Sequence, residues 1–385
     1  MAGLRAALSG AFSTVMGRRP GLSALDLQAE AALGALADAQ LAGAAVDGLI
    51  CGYALSSPHI LPAQVLCEHM GLRPDISFGV QAGGASGCIM VMQAAALVSI
   101  GLCRHVLVVA GDSRLSGITR DQAVTALAEV GHPELERPLG MGIPAAYGLV
   151  AARYMHEHGT TVEQLAAVAV AHRQHAIRHP QAHMRTPLSV ADVMASRVIS
   201  SPLRLLDCCI VSDGGAAVVV SAIETAAELS AAPVHLLGAA QAQTHAHLVA
   251  APSLTQFACA DTARRALAQA GVGTADIDVA AIYDSFTITL VIELESMGFF
   301  EPGEAGAAIA AGALDLGGTL PCNTHGGMLS HGGPGVAGGL AHVVEAVTQL
   351  RQAAGARQVA NARTAFVHGD GGVLSTHCSL VLGTG

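Results

Sequence analysis

Two glycine-rich turns and a few proton-carrying side chains hold the chemistry this sequence can offer. Gly83-Gly84-Ala85-Ser86-Gly87 follows a short apolar run, Ser77 to Ala82, and precedes a long apolar stretch from about Cys88 to Gly101. Glycines at such a turn let backbone N–H groups point at one oxygen, so this turn and a second one holding Gly371 and Gly372 could stabilise an oxyanion without a side-chain nucleophile. Tyr283 stands in YDSF at the end of an apolar segment; it is one of only 4 tyrosines, and its phenol can give or take a proton. The competing reading is a buried tyrosine whose hydroxyl is satisfied by a neighbour. His331, in MLSHGGPG, offers a group whose ordinary pKa of about 6.5 suits acid or base work near neutrality, whereas a tyrosine at about 10 needs help. With 18 histidines in the chain, most must serve elsewhere, and His325 in NTHGG reads as structural. Cys88 sits near a helix start, where a thiol can become acidic. Its apolar surroundings favour a core filler instead.

These residues need elements to hold them. AALSGAFST reads as a buried strand, Ser23 to Leu41 as a helix, Ser77 to Ala82 as a strand, Cys88 to Gly101 as a helix and HVLVVAGDS as a strand. Strand, glycine turn, helix and strand make a βαβ unit, with the turn at the carboxyl end of the first strand, where open α/β sheets bind ligands. Residues 113–200 break the rhythm with prolines, histidines and a helical stretch over Ala145 to His158, and read as an inserted cap. The alternation resumes at Asp213-Gly214-Gly215. It recurs in Val279 to Tyr283, a Gly-rich segment from Thr324 to Gly339, a helix from Gly339 to Arg351 and a closing hairpin, TAFVHGDGGVLSTHCSLVLG. Two βα-rich halves, 1–232 and 233–385, suggest an internal duplication.

Composition sets the outer limits. Of 385 residues, 52% are hydrophobic, 12% are charged and 45 are glycine, as expected of closely packed helix and sheet layers in a large α/β protein. So little surface charge predicts that part of the apolar surface is covered by another subunit. A net charge of −10 without a Lys/Arg run argues against nucleic acid. The apolar runs are strand-length and the opening residues lack a long apolar core, so neither a membrane span nor export is expected. Nine cysteines without a CxxC pair or ligand spacing point to a cytoplasmic location and to no metal.

Five segments in order, VQAGGASGCIMVMQAA, MGIPAAYGLVAARYM, LDCCIVSDGGAAVVV, NTHGGMLSHGGPGVAGGLAHVVEAVTQLR and VHGDGGVLSTHCSLVLG, with YDSF between the third and fourth, resemble the thiolase superfamily over nearly the whole chain. The nearest resemblance is to its sterol-carrier-protein or lipid-transfer branch. It implies a five-layer αβαβα thiolase fold with a loop domain over 113–200, a homodimer or larger assembly, and an acyl-CoA substrate under the loop domain. Met141 falls where the family touches pantetheine, although a methionine that merely packs under the cap would look the same.

The departures from the family decide the chemistry. Gly84 stands where thiolases keep the nucleophilic cysteine, His368 at about the second cysteine, Gly333 at the histidine of the Gly-rich strip, and Tyr283 where the branches carry Asn or His. Cys88 lies four residues inward, roughly 6 Å along a helix axis, so the usual covalent acyl transfer looks closed. Members of the branch without the nucleophilic cysteine are acyl-CoA aldolases. The resemblance therefore implies retro-aldol cleavage of a β-hydroxyacyl-CoA with no covalent intermediate, no metal and no cofactor beyond the substrate's coenzyme A. In that reading Tyr283 and His331 share the acid and base roles with His368 nearby, and backbone amides at Gly84, Gly371 and Gly372 hold the enolate. Those aldolases carry Tyr where His331 stands. They also imply a small OB-fold partner, often with a zinc ribbon. The alternatives are an acyltransferase using an unexpected residue such as Cys88, and a catalytically silent binder of CoA esters.

Overall fold

The computed structural model describes residues 4–229 and 232–384. Among them, nine strands form one hydrogen-bonded sheet: β1 (Ala6–Ser13), β2 (Gly48–Gly52), β3 (Ile76–Val80), β4 (His105–Ser113), β7 (Asp213–Ala222), β8 (Val234–Gln243), β9 (Val279–Ile282), β10 (Thr364–Gly371) and β11 (Thr376–Thr384), the small hairpin β5 (Val198–Ser200) and β6 (Leu203–Arg204) standing apart. The order is β3-β2-β4-β7-β1-β8-β11-β10-β9. β2–β4 is parallel while β4–β7 and β7–β1 are antiparallel; β9–β10 is likewise parallel while β10–β11 and β11–β8 are antiparallel. Both halves thus repeat one pairing pattern outward from a shared seam, and the duplication suggested by the sequence is structural. The seam itself is slight, with only Ala7↔His235 and Leu8↔Val234 joining β1 to β8.

Helices fill three layers around this sheet. α1 (Ala24–Asp38) and α2 (Pro62–Met70) cover one face of the first half. α3 (Ser86–Ser99) and α12 (Val336–Leu350) lie between the halves, and α9 (Cys259–Ala270) and α10 (Thr287–Ser296) cover the far face of the second. This is the five-layer arrangement expected. Because helices cover both faces, β4 is buried at all nine positions and shows no polar alternation. In the central layer α3 and α12 touch through backbone: a Cβ on Gly87 would stand 2.6 Å from Leu340 N, and one on Gly339 would stand 2.4 Å from Gly84 O. No side chain fits at either point.

Between β4 and β7 the cap contains α4 (Arg120–Ala128), α5 (Ile143–His158), α6 (Val162–Ile177) and α7 (Val190–Ala195). Only α5 was expected by name. α6 opens on a capping box in which Thr161 accepts from Gln164 N, a signal present in TVEQ. α8 (Ile223–Leu229) and α11 (Ala305–Ala310) complete the helices. α3 begins at Ser86 rather than Cys88, because Ser86 Oγ accepts from Ala82 N (2.8 Å) and donates to Gly83 O (2.7 Å), closing the turn into the helix. The Gly-rich segment is not loose: Gly327–His331 forms a π-turn, and α12 starts at Val336. No helix among the described residues is long and apolar enough to cross a membrane.

Candidate active site

The turn from β3 into α3 meets the β10–β11 turn and the end of β9 at one place. Gly83 has φ +58°, and a Cβ there would stand 2.9 Å from Gly371 Cα; Gly372 has φ +72°. Both values belong to the left-handed region where glycine carries no steric penalty. A Cβ on Gly84 would lie 2.2 Å from Tyr283 Cζ and 2.4 Å from Asp370 O. The phenol therefore occupies the space a side chain at 84 would need. Tyr283 is held from behind by its backbone N–H donating to His368 O (3.0 Å) and remains partly exposed. Its hydroxyl makes no hydrogen bond among the described residues. Burial, then the Cys209 thiol and the Asp370 carboxyl, push the phenol upward, with Arg114 opposing them. It stays protonated near neutrality.

His368 does not share this place. Alternation along β10 turns Gly369 and Gly371 toward α3, where a Cβ on Gly369 would stand 3.0 Å from Ala85 Cα, and turns Phe366, His368 and Asp370 to the other face. There His368 Nδ1 meets Ser379 Oγ (2.9 Å), and its Nε2 lies 3.1 Å from His377 Nδ1 and 3.4 Å from Glu293 Oε1. Burial pushes His368 down to about 3, so its imidazole is neutral. Asp370 accepts from Tyr147 OH (2.9 Å), and burial together with the Glu293 charge lifts its carboxyl well above the usual range.

His331 is also elsewhere. The π-turn directs its ring to His179 and His325, with centroids 4.7 and 4.9 Å away, in a pocket of about 180 Å³ that also reaches Ser13, Glu345 and Arg357. From His331 the ring contacts run to His325, from His325 to His342 (4.7 Å) and from His342 to Tyr283 (6.0 Å), and none joins His331 to Tyr283 directly among the described residues. Burial holds His331 well below its ordinary pKa, and neither ring nitrogen has a hydrogen-bond partner among the described residues. The expected sharing of acid and base roles among Tyr283, His331 and His368 is thus corrected by geometry: strand pleating separates His368, and the π-turn separates His331.

Cys88 is fully buried, its Sγ 3.3 Å from the Cβ position of Gly369, and burial pushes its thiol up to about 12. Met141 lines an apolar cleft under the cap with Ile143, Ala146, Leu248 and Val373, the last adjoining Gly372. Several buried polar residues were not foreseen. Asp284, beside Tyr283, accepts from the backbone N–H groups of Met328 (2.7 Å) and Leu329 (3.1 Å) and meets His172 Nδ1 at 2.8 Å. His342 Nε2 lies 3.3 Å from it without hydrogen-bond geometry. Burial alone would raise the Asp284 carboxyl, yet the His172 charge and these bonds hold it at about 2. YDSF displayed the aspartate, but its partners sit on α6 and α12, far off in sequence.

The comparisons with known proteins fit this architecture. Residues 5–224 match the profile of the thiolase N-terminal domain, and residues 240–384 that of the thiolase C-terminal domain-like family. The chain belongs to the thiolase family. This thiolase-family chain is 36% identical over 360 residues to a 17-hydroxy-3-oxo-4-pregnene-20-carboxyl-CoA lyase of Mycobacterium tuberculosis, covering 90% of the chain and 92% of the relative. It is 34% identical over 380 residues to an acetyl-CoA acetyltransferase of Methanothermobacter thermautotrophicus, covering 96% and 98%. Among solved structures, the Ltp2-ChsH2(DUF35) aldolase superimposes with a TM-score of 0.88 at 33% identity, covering 100% of the chain and 99% of that structure's chain. Relatives of the thiolase-family chain thus include both C–C lyases and acyltransferases.

Proposed function

We propose that the protein cleaves a β-hydroxyacyl-CoA bearing a tertiary hydroxyl by a retro-aldol reaction. The observation that carries this reading is the contact between Tyr283 and the Cβ position of Gly84, which removes room for a nucleophile and puts a phenol in its stead. The phenol oxygen accepts the β-hydroxyl proton while its own proton passes to Cα. The Cα–Cβ electron pair, delocalised onto the thioester oxygen as enolate character in the transition state, ends as the new Cα–H bond, and a ketone leaves. A neutral relay suits a phenol whose pKa is pushed up. Backbone N–H groups of the Gly83-Gly84 and Gly371-Gly372 turns hold the enolate oxygen in a site of low dielectric. The cleft with Met141 takes the pantetheine arm, so coenzyme A enters only as part of the substrate.

The lyase relatives support a steroid-like acyl chain, and thus a role in steroid degradation. A small OB-fold, zinc-ribbon partner is part of the proposal. The solved aldolase is named as a pair of components, and the cap exposes Val124, Leu135 and Leu139 to solvent. So is a homodimer: β3 ends the sheet, and this chain leaves one side of its hydrogen-bond ladder unpaired. Nine free cysteines support a reducing, cytoplasmic setting. The test is release of a ketone and a shortened acyl-CoA from such a substrate, with the small partner added. Unchanged turnover in Tyr283→Phe, or thiolysis of acetoacetyl-CoA through an acylated cysteine, defeats the proposal.

A further inference from the structure

Behind β10, three donor atoms converge in the layer between the β10–β11 hairpin and α10. His368 Nε2 and His377 Nδ1 are 3.1 Å apart, and Glu293 Oε1 lies 3.4 Å from the first and 3.7 Å from the second. All three side chains are fully buried. A triangle with those sides has a point about 2.0 Å from each corner, and zinc binds imidazole nitrogen and carboxylate oxygen at about 2.0–2.2 Å.

The hydrogen-bond network decides which of these atoms carry protons. His377 Nε2 meets Leu374 O at 3.0 Å; a carbonyl only accepts, so Nε2 holds the proton and Nδ1 presents a lone pair. Thr262 donates its one hydroxyl proton to Cys259 O (3.0 Å), so across the 2.9 Å contact between the hydroxyls Ser379 donates to Thr262. With its proton committed, Ser379 Oγ accepts from His368 Nδ1 (2.9 Å), which leaves His368 Nε2 bare as well. Two imidazole lone pairs and a carboxylate therefore face one point. Neither Glu293 oxygen has a hydrogen-bond partner among the described residues. A buried acid unpartnered at both oxygens is rare and requires a cause.

We propose that Glu293, His368 and His377 bind one divalent transition-metal ion of the zinc class, clamping α10 to the β10–β11 hairpin. Two imidazoles and one carboxylate suit zinc, cobalt(II) or iron(II) in preference to magnesium or calcium. The outer bonds match those of ligating histidines elsewhere, whose far nitrogens are fixed by a carbonyl or hydroxyl. This departs from the metal-free expectation of the sequence and goes beyond the aldolase reading, since the ion lies on the opposite face of β10 from Gly84. The spacing hid it: Glu293 comes from a distant helix, and His368 and His377 are diagonal neighbours across a hairpin in which His368 pairs with Ser379 and His377 with Asp370.

The test is elemental analysis of the untagged full chain, folded in the presence of zinc and freed of loose metal. About one ion per chain is expected, falling at least tenfold in Glu293→Gln and in His377→Gln. Refolding with cobalt(II) alone should give a visible d–d absorption band that a strong chelator abolishes only on unfolding. The proposal is overturned if the wild-type chain retains no stoichiometric zinc, cobalt or iron, the place then being held by a proton. It is equally overturned if folded variants keep the ion. Should neither variant fold, the wild-type cobalt band decides: its presence upholds the site and its absence removes it.

Discussion

Gly84 and Tyr283 exclude one another's alternatives: a Cβ at position 84 would lie 2.2 Å from Cζ of the phenol, closer than two carbons can approach without a bond. The chain cannot hold this tyrosine and a thiolase cysteine together. Gly84→Cys should therefore not restore thiolysis. Gly84→Ala should destabilise the fold by about 1–3 kcal/mol, the usual range for overpacking, as read from urea unfolding midpoints. Tyr283→Ala should relieve only part of that loss, because Asp370 O also stands 2.4 Å from the added carbon.

Tyr283→Phe keeps the ring and removes only the hydroxyl. Loss of one positioned proton carrier lowers turnover by about 10²–10⁴-fold, so kcat for β-hydroxyacyl-CoA cleavage should fall in that range with KM little changed. Circular dichroism should remain that of the parent, since the hydroxyl holds no structural bond.

Cys88 should be chemically silent. Its thiol is fully buried and pushed up to about 12, so almost no thiolate exists at neutral pH. Peptide mass spectrometry after incubation with acetyl-CoA or acetoacetyl-CoA should find no acyl group on it, and iodoacetamide should label it only after unfolding.

Stability should fall on the acid side of neutrality through the cluster of His179, His325 and His331. Burial lowers all three, His179 to about 3, against an ordinary value of about 6.5, with Arg357 adding repulsion and Glu345 opposing it at His331. The unfolded chain then binds more protons than the folded one between those values. The contribution is complete above about pH 6.5 and declines as pH drops toward 3. Urea midpoints at pH 7.5 and 5.5 should differ accordingly. His179→Asn should reduce the difference, and an unchanged slope would show that the cluster does not titrate on unfolding.

Much of this was legible before any coordinates. The glycine turns, Tyr283 and the strand-turn-helix order were visible because each leaves a local mark: a φ that only glycine readily adopts, a scarce residue type, an apolar run of strand length. His368 was misassigned to the site because β10 is covered on both faces, so no polar alternation reveals which way a residue points. His331 was misassigned because one π-turn redirects a side chain without changing any residue type. Asp284 stood in a quoted motif, yet its weight comes from His172 and His342, which only the tertiary fold brings near.

The two residue pairs between β1 and β8 bear on how the enzyme loses activity. Gly83 and Gly84 come from one half, Tyr283, Gly371 and Gly372 from the other, and the halves also meet where α12 packs on α3, β7, β4 and β1 and where α6 packs on α11. In the proposed mechanism neither half alone owns a reaction centre. Catalytic competence in the proposed mechanism thus depends on how the halves pack together, and a bulky residue at Gly87, whose Cβ would stand 2.6 Å from Leu340 N, would silence the protein by forcing α3 away from α12.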